Sequence, residues 1–446
     1  MLIEFRVQNH RSLRDEQVLT MEAGRVGDPD DVRPREVAGL STRLLPAVAL
    51  FGANASGKSN VLSALGFMRD AVLDSHTSWP AQGGVPRDAF AWGTGPRDPS
   101  LFEVTIQLAG VRTQYGFVLD HLGVVEEWLF SWPKGRRRTW FQRERQAYSF
   151  GDHLKGENRV VEQVTRPNAL FVSTAAQHQH EQLLPLYGWF RGLRTFRVEG
   201  YRERYADVMP AAALAAVAAV AAATAGASNG LVRLADLLPP SGEEGRAVHD
   251  LASLDAASAG RVRDLLKAAD VGIVDFRVTA ADDQSRSKAG ASPQVSLRHE
   301  IRGTEQAWLS LERESAGTRT LLRLAPAVVD VLSRGGVLVA DELESSLHPL
   351  LLLEVVRQFN DPRLNKHNAQ LLFTTHDTNL LGTVAGPAAL RRDQVWLTEK
   401  DHEGATRLFP LTDYKPRKAE NTERGYLQGR YGAVPFLGSF TGSGEE

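Results

Sequence analysis

The sequence contains no cysteine. That excludes disulfides, a thiolate zinc site and a catalytic thiol. It also lacks a charge excess: Lys and Arg number 52, Asp and Glu 54, for a formal net charge of −2. Nucleic-acid contact would therefore need a local patch rather than a global field. No secretory leader is expected either. "MLIEFRVQNHRSL", 1–13, alternates apolar and polar residues and has no basic region followed by an apolar core. One long run of small apolar residues, "VMPAAALAAVAAVAAATAGA" at 208–227, is mostly alanine. Alanine is a strong helix former and only weakly hydrophobic, so a packed soluble helix is expected there rather than a membrane span. These absences fit a cytoplasmic chain with no membrane association.

What is present is an ordinary globular composition, 42% hydrophobic and 24% charged over 446 residues. That length suits two or three domains, or one large domain with insertions. Residues 2–8 alternate like a half-buried strand, and 44–51, "LLPAVALF", reads as a buried parallel strand. Val61, Leu62, Leu65, Met68 and Val72 then fall on helical spacing. Residues 101–150 read as antiparallel strands, with a turn at 133–135. From about 155 to 270 the chain looks mainly helical, punctuated by Gly and Pro at 239–245, with no sustained heptad. Two strands follow at 271–280 and 294–301, joined by a polar loop at 281–293. Strand and helix then alternate again through "GGVLVADE", "HPLLLLEVVRQF" and "AQLLFTTHD". Three units are expected: 1–150, a helical insertion at 151–270, and 271–446.

Between the strand at 44–51 and the helix stands "GANASGKSN". Gly52, Gly57, Lys58 and Ser59 match G-x-x-x-x-G-K-[ST] in full, in the strand–loop–helix setting that a phosphate-binding loop requires. Its glycines let the backbone N–H groups of Ala53, Asn54, Ala55, Ser56 and Asn60 approach phosphates, aided by the helix N-terminus. Lys58 is expected on the β- and γ-phosphates of ATP, and Ser59 on magnesium (Mg2+). "VLVADE" ends a strand in two acids. Asp341 is expected to hold the metal through water, and Glu342 to polarise the attacking water. His376, at the end of another strand, is expected to sense the γ-phosphate. Lys58 and Asp341 stand much further apart in sequence than in GTPases or simple kinases, so something large is inserted between the two halves of the site.

The set "GANASGKS", "ESAGTR", "VLVADE", "ESSLHP" and "TTHD" resembles the ABC-type ATPase heads of SMC, RecF and OLD-like proteins. More narrowly, it resembles the AAA-type ATP-binding proteins of bacterial anti-phage and abortive-infection systems. "FRVQNHRSL", with Arg11 counted among the nucleotide-binding residues, and the tail "AENTERGYLQGRYGAVPFLG" extend the likeness over nearly the whole chain. The resemblance implies an α/β fold: a P-loop NTPase core of ABC-ATPase type with an antiparallel β lobe and an inserted helical lobe. It also implies a head-to-tail homodimer, or a higher oligomer. ATP would sit between the phosphate loop of one subunit and Ser315, Ala316, Gly317 and Arg319 of the other. Ser345, Ser346 and His348 would cross the seam. The signature reads S-A-G-T-R where its fuller form is L-S-G-G-Q, and the metal-contacting glutamine has two candidates, Gln82 and Gln107.

Three functions remain open from sequence. The chain is an ATPase subunit of a defence complex gating a separate effector such as a nuclease, a RecF- or SMC-like repair ATPase acting on DNA, or an ATP-bound scaffold with little turnover. The stretch after His376 is too short for the TOPRIM domain of OLD-like nucleases, so an effector is expected on another chain. The best local nucleic-acid candidate is the hairpin "WPKGRRRTWFQRER", through Arg136, Arg137, Arg138 and Trp140, although a solvated tip over a packed Trp would read the same way. In the tail, Arg424, Tyr426, Arg430 and Tyr431 would either dock a partner or pack the chain end onto the core.

Overall fold

The computed structural model describes residues 1–26, 30–199, 242–269, 272–279, 294–383, 386–415 and 420–435. The alanine-rich run at 208–227 and the polar loop at 281–293 lie outside them.

The chain opens with strands β1 (Leu2–Gln8), β2 (Gln17–Thr20) and β3 (Ala47–Gly52), then helix α1 (Lys58–Asp74). Five strands follow: β4 (Ser100–Leu108), β5 (Val111–Leu119), β6 (Val124–Ser131), β7 (Arg138–Glu144) and β8 (Ala147–Phe150). With β1 and β2 they form a seven-stranded antiparallel sheet in the order β2-β1-β4-β5-β6-β7-β8. Short helices α2 (Asn158–Val164), α3 (Phe171–Gln177) and α4 (Leu184–Gly192) lead to β9 (Arg194–Phe196). That strand lies within the stretch expected to be mainly helical. It is only three residues long, too short to show a period.

Helices α5 (Gly242–Ala252) and α6 (Ala256–Ala269) precede a small antiparallel sheet of β10 (Ile273–Thr279), β11 (Gln294–Ile301) and β12 (Thr304–Ser310). The remainder runs α7 (Ala316–Arg334), β13 (Val337–Ala340), α8 (Pro349–Asn360), β14 (Gln370–Thr374), β15 (Val395–Lys400), β16 (Thr406–Pro410) and α9 (Thr422–Leu427). Pro349 sits in the first turn of α8, where a missing N–H breaks no helical bond.

The central sheet has the order β16-β15-β3-β14-β13-β9 and is parallel except for the β15–β16 pair. Its strands are buried on both faces, as parallel strands usually are. On β3, Val48 and Leu50 face one core, while Ala47, Ala49 and Phe51 face the other. The first core wedges α1 between the two large sheets, against Phe5, Phe102 and Phe117. The second packs α7 and α8 on the opposite face, through Leu321, Val328, Leu352 and Val356. The fold is therefore an α/β P-loop core of ABC-ATPase type with an antiparallel β lobe. The carboxyl ends of neighbouring parallel strands open on one edge, where ligands bind in such sheets.

Candidate nucleotide site

The loop at 52–57 leaves β3 and enters α1 with its conformation fixed by glycine. Gly57 caps α1 at φ 105°, ψ 11°. A Cβ there would overlap the side chains of Thr406 and Ser12, and one at Gly52 would overlap Thr398 and Ser56. Only glycine fits either place. Ala55 also has positive φ, 60°. A chain of short bonds clamps the loop from below. Ser56 Oγ meets Thr398 Oγ1 at 2.6 Å, Thr406 Oγ1 donates to Ser56 O at 2.8 Å, and Ser12 Oγ meets Thr406 Oγ1 at 2.7 Å. Asn60 Nδ2 donates to Ser12 Oγ at 2.6 Å. These partners come from the ends of β15 and β16 and the turn after β1. Thr398 and Thr406 lie outside every quoted motif, and Ser12 lies within "FRVQNHRSL" with no role assigned to it.

Lys58 is buried at 6% exposure, and its ammonium donates to Gly52 O at 2.9 Å and Ala53 O at 3.0 Å. Burial pushes its pKa down, against the pull of Asp341, Glu344 and Glu342. A buried cation held by neutral carbonyls is costly unless an anion joins it. A triphosphate fits that need.

Asp341 follows β13, and its position is set from several sides. Its N–H donates to Phe196 O at 2.9 Å, so the short edge strand β9 pins it. Its Oδ1 accepts from Ser59 Oγ at 3.0 Å and Thr374 Oγ1 at 2.5 Å. The structure thus brings Ser59 and Asp341 together across 282 positions of sequence. Among the described residues no cluster of three or more His, Asp or Glu could hold a metal ion. A magnesium ion at Ser59 and Asp341 would need phosphate and water oxygens to complete its shell.

Glu342 is exposed, at φ 46°, with its N–H donating to Thr374 Oγ1 at 2.7 Å. Its carboxylate has no hydrogen-bond partner among the described residues, as a group awaiting a water would. His376 follows β14 and is open to solvent on one side, with its N–H donating to Glu344 Oε1 at 2.7 Å. Desolvation first, and the Lys58 ammonium second, lower the His376 pKa from 6.5, against Glu344, Glu342 and Asp341. The imidazole is therefore neutral near pH 7. The stretches "ESSLHP" and "TTHD" contain Glu344 and Thr374 but assign neither a role.

Ser315 and Ala316 lie exposed at the start of α7, with Gly317 and Arg319 half-buried. Ser315 caps the helix by accepting from Thr318 N at 3.1 Å. A Cβ on Gly317 would come within 2.8 Å of Ser346 O, so the signature turn rests directly on the 345–348 loop. Ser346 has φ 66°, and exposed His348 caps α8 through Nδ1. Ser315, Ala316 and Gly317 make no hydrogen bond to the phosphate loop of their own chain.

Arg11 is tied by ion pairs to Asp88 at 3.0 Å and Glu199 at 2.7 Å. Gln107 is engaged by Ala38 O, and Gln82 is exposed in a loop; neither is hydrogen-bonded to the phosphate loop. In the hairpin, Arg137 lies 4.7 Å over the Phe130 ring and Arg112 lies 5.5 Å over Trp132. Trp140 is half-buried and donates to Ser131 Oγ at 2.8 Å. Arg136 and Arg137 are exposed, Arg138 is half-buried, and none has a carboxylate partner among the described residues. In the tail, Tyr426 and Tyr431 are buried while Arg424 and Arg430 are exposed.

Among the described residues no helix is long and apolar enough to cross a membrane. No curated protein sequence matches the chain. Among solved structures it is similar to an SMC head bound to the C-terminal winged-helix domain of ScpA, at 10% identity and TM-score 0.45 over 92% of this chain and 97% of that one. It is also similar to the SMC head domain from Thermotoga maritima, at 12% identity and TM-score 0.37 over 92% and 98%. The AAA_21 family model, described as "AAA domain, putative AbiEii toxin, Type IV TA system", matches residues 47–382, from the first residue of β3 to the turn beyond His376, and the chain belongs to that family.

Proposed function

We propose that the chain is a magnesium-dependent ATPase whose nucleotide site is completed by a second copy, and that the resulting dimer gates a separate effector in a bacterial defence complex. One observation carries the hydrolytic reading: Ser59, Asp341 and Thr374 form a single bonded cluster, with the Glu342 carboxylate beside it and unpartnered among the described residues. Glu342 accepts a proton from water as the water oxygen bonds to the γ-phosphorus. The bond to the β-phosphate oxygen breaks and ADP leaves. Lys58 stabilises charge on the transferred group, and His376, neutral, accepts a hydrogen bond from the water or donates one to the γ-phosphate. Bound magnesium would neutralise charge between the β- and γ-phosphates.

The dimer reading rests on Ser315 and Ala316, exposed and facing no phosphate loop of their own. The defence reading rests on the family description, which names a toxin–antitoxin system. A nuclease is the effector chemistry proposed, carried by another chain. Steady-state turnover and fluorescent-nucleotide binding test the core. Lys58→Ala should abolish binding. Glu342→Gln should bind ATP but lose about 10²–10⁴-fold in turnover. Hydrolysis by Glu342→Gln at the parent rate would remove Glu342 as the base.

A second reading, action directly on DNA, is favoured by the hairpin. Arg137 lies over an aromatic ring, and Arg136, Arg137 and Arg138 have no carboxylate partner among the described residues, ready to neutralise phosphates. Replacing Arg136, Arg137 and Arg138 by alanine should then weaken DNA or tRNA binding and flatten its salt dependence. Unchanged affinity would leave the hairpin as a solvated tip.

A further inference from the structure

We propose that residues 420–433 form a strap that positions both halves of the nucleotide site, with Tyr426 setting the phosphate loop and Glu423 setting the turn after His376. This rests on the ATP-site reading above.

The strap first closes on itself. Asn421 caps α9 by accepting from Arg424 N at 2.9 Å, and Tyr431 Oη donates to Glu420 Oε1 at 3.0 Å. The Tyr431 ring lies against Gly425, where a Cβ could not fit. The closed unit then reaches the exits of three adjacent parallel strands. At β3, the Tyr426 ring packs edge-on against Phe51, 5.7 Å between centroids. Its hydroxyl donates to Ala433 O at 3.2 Å, and Phe51 leads directly into Gly52, the first residue of the phosphate loop. At β14, Glu423 Oε1 accepts from Thr378 Oγ1 at 3.3 Å, and its carboxylate presses on the bare backbone of Gly382. Thr378 lies two residues past His376. At β15, Glu399 Oε1 accepts from Ala433 N at 2.6 Å.

An end segment held only by apolar packing would not need these polar contacts. Two of the strap's contacts go to residues that frame the site, Phe51 next to the phosphate loop and Thr378 next to the His376 turn. Tyr426 therefore acts on nucleotide binding, through the loop that cradles phosphate. Glu423 acts on turnover, through the turn that carries His376. Both are positioning residues, since neither touches a reacting atom.

The full chain is compared with Tyr426→Phe, Glu423→Ala and Glu423→Gln. Dissociation constants come from a fluorescent ATP analogue, kcat from phosphate release, and fold integrity from thermal melting. Tyr426→Phe keeps the ring and removes the hydroxyl. It should weaken nucleotide binding about 3–10-fold, the scale of one net hydrogen bond. Glu423→Ala should lower kcat about 3–10-fold with binding unchanged. Glu423→Gln should recover most of that loss, because its amide oxygen still accepts from Thr378. Hydrogen exchange of wild-type residues 425–428 should slow on adding ATP. If the parent binds ATP while these variants match it in binding and turnover, whatever their melting temperatures, the strap only packs and the proposal is overturned. A parent chain that binds no nucleotide would overturn the ATP-site reading, and the strap with it.

Discussion

At the scale of single residues, the site depends on places where only one side chain works. Gly57 is the sharpest case, with a left-handed φ and its missing Cβ taken up by Thr406 and Ser12. Gly57→Ala should cost about 1–3 kcal/mol by overpacking and should also displace the loop, so thermal melting and nucleotide affinity fall together. Unchanged affinity would mean the loop can yield without losing its shape. His376 gives a pH prediction. Its pKa lies below the ordinary value, so the ring protonates only on the acid side of the usual histidine range. Turnover should hold near neutrality and decline on the acid side, and His376→Gln should lose that limb of the kcat profile. An identical acid limb in the variant would assign the titration to another group. The loop, the two acids and the histidine were legible in sequence because their chemistry is local: a few fixed offsets at strand ends. Ser12, Thr398 and Thr406 were not. They reach the loop through tertiary contact alone, and Ser and Thr at strand ends look alike everywhere.

At the scale of elements, buried polar contacts decide how the helices meet the antiparallel sheet. Glu127 on β6 is fully buried and accepts from Phe171 N at 2.7 Å and Val172 N at 3.1 Å, the first amides of α3. Tyr115 Oη donates to it at 3.0 Å, and Arg143 on β7 pairs with it at 3.4 Å. Burial raises the carboxyl pKa against these four donors. Glu127→Ala leaves the buried Arg143 charge with backbone carbonyls but no carboxylate, strands the α3 amides, and should cost about 3–5 kcal/mol. Urea unfolding with an unchanged m-value would register it as a lower midpoint. A loss under about 1 kcal/mol would show that water replaces the carboxylate. Strands of the β lobe were readable from alternation, and the parallel strands from apolar runs. The edge strand β9 was not, although Phe196 O fixes Asp341. The tail was equally ambiguous in sequence, because tyrosine and arginine serve docking and packing alike. In the structure its tyrosines are buried and its arginines exposed.

At the scale of the whole molecule, the proposed site takes its two ends from two copies of the chain. The phosphate loop, acids and His376 gather at one edge of the central sheet. The signature turn, resting on Ser346, faces solvent. A second copy placed head to tail would bring Ala316 onto the nucleotide. Because Ala316 is exposed, Ala316→Arg should leave the melting temperature and monomer ATP binding intact while preventing ATP-driven association, measured by light scattering. A variant that associates like its parent would move the seam elsewhere. The most direct test of the account is the mass in solution of Glu342→Gln with and without saturating magnesium ATP. The account predicts a monomer without nucleotide and a stable dimer with it, reverting when Lys58→Ala is added. A Glu342→Gln chain that binds ATP and stays monomeric would contradict it.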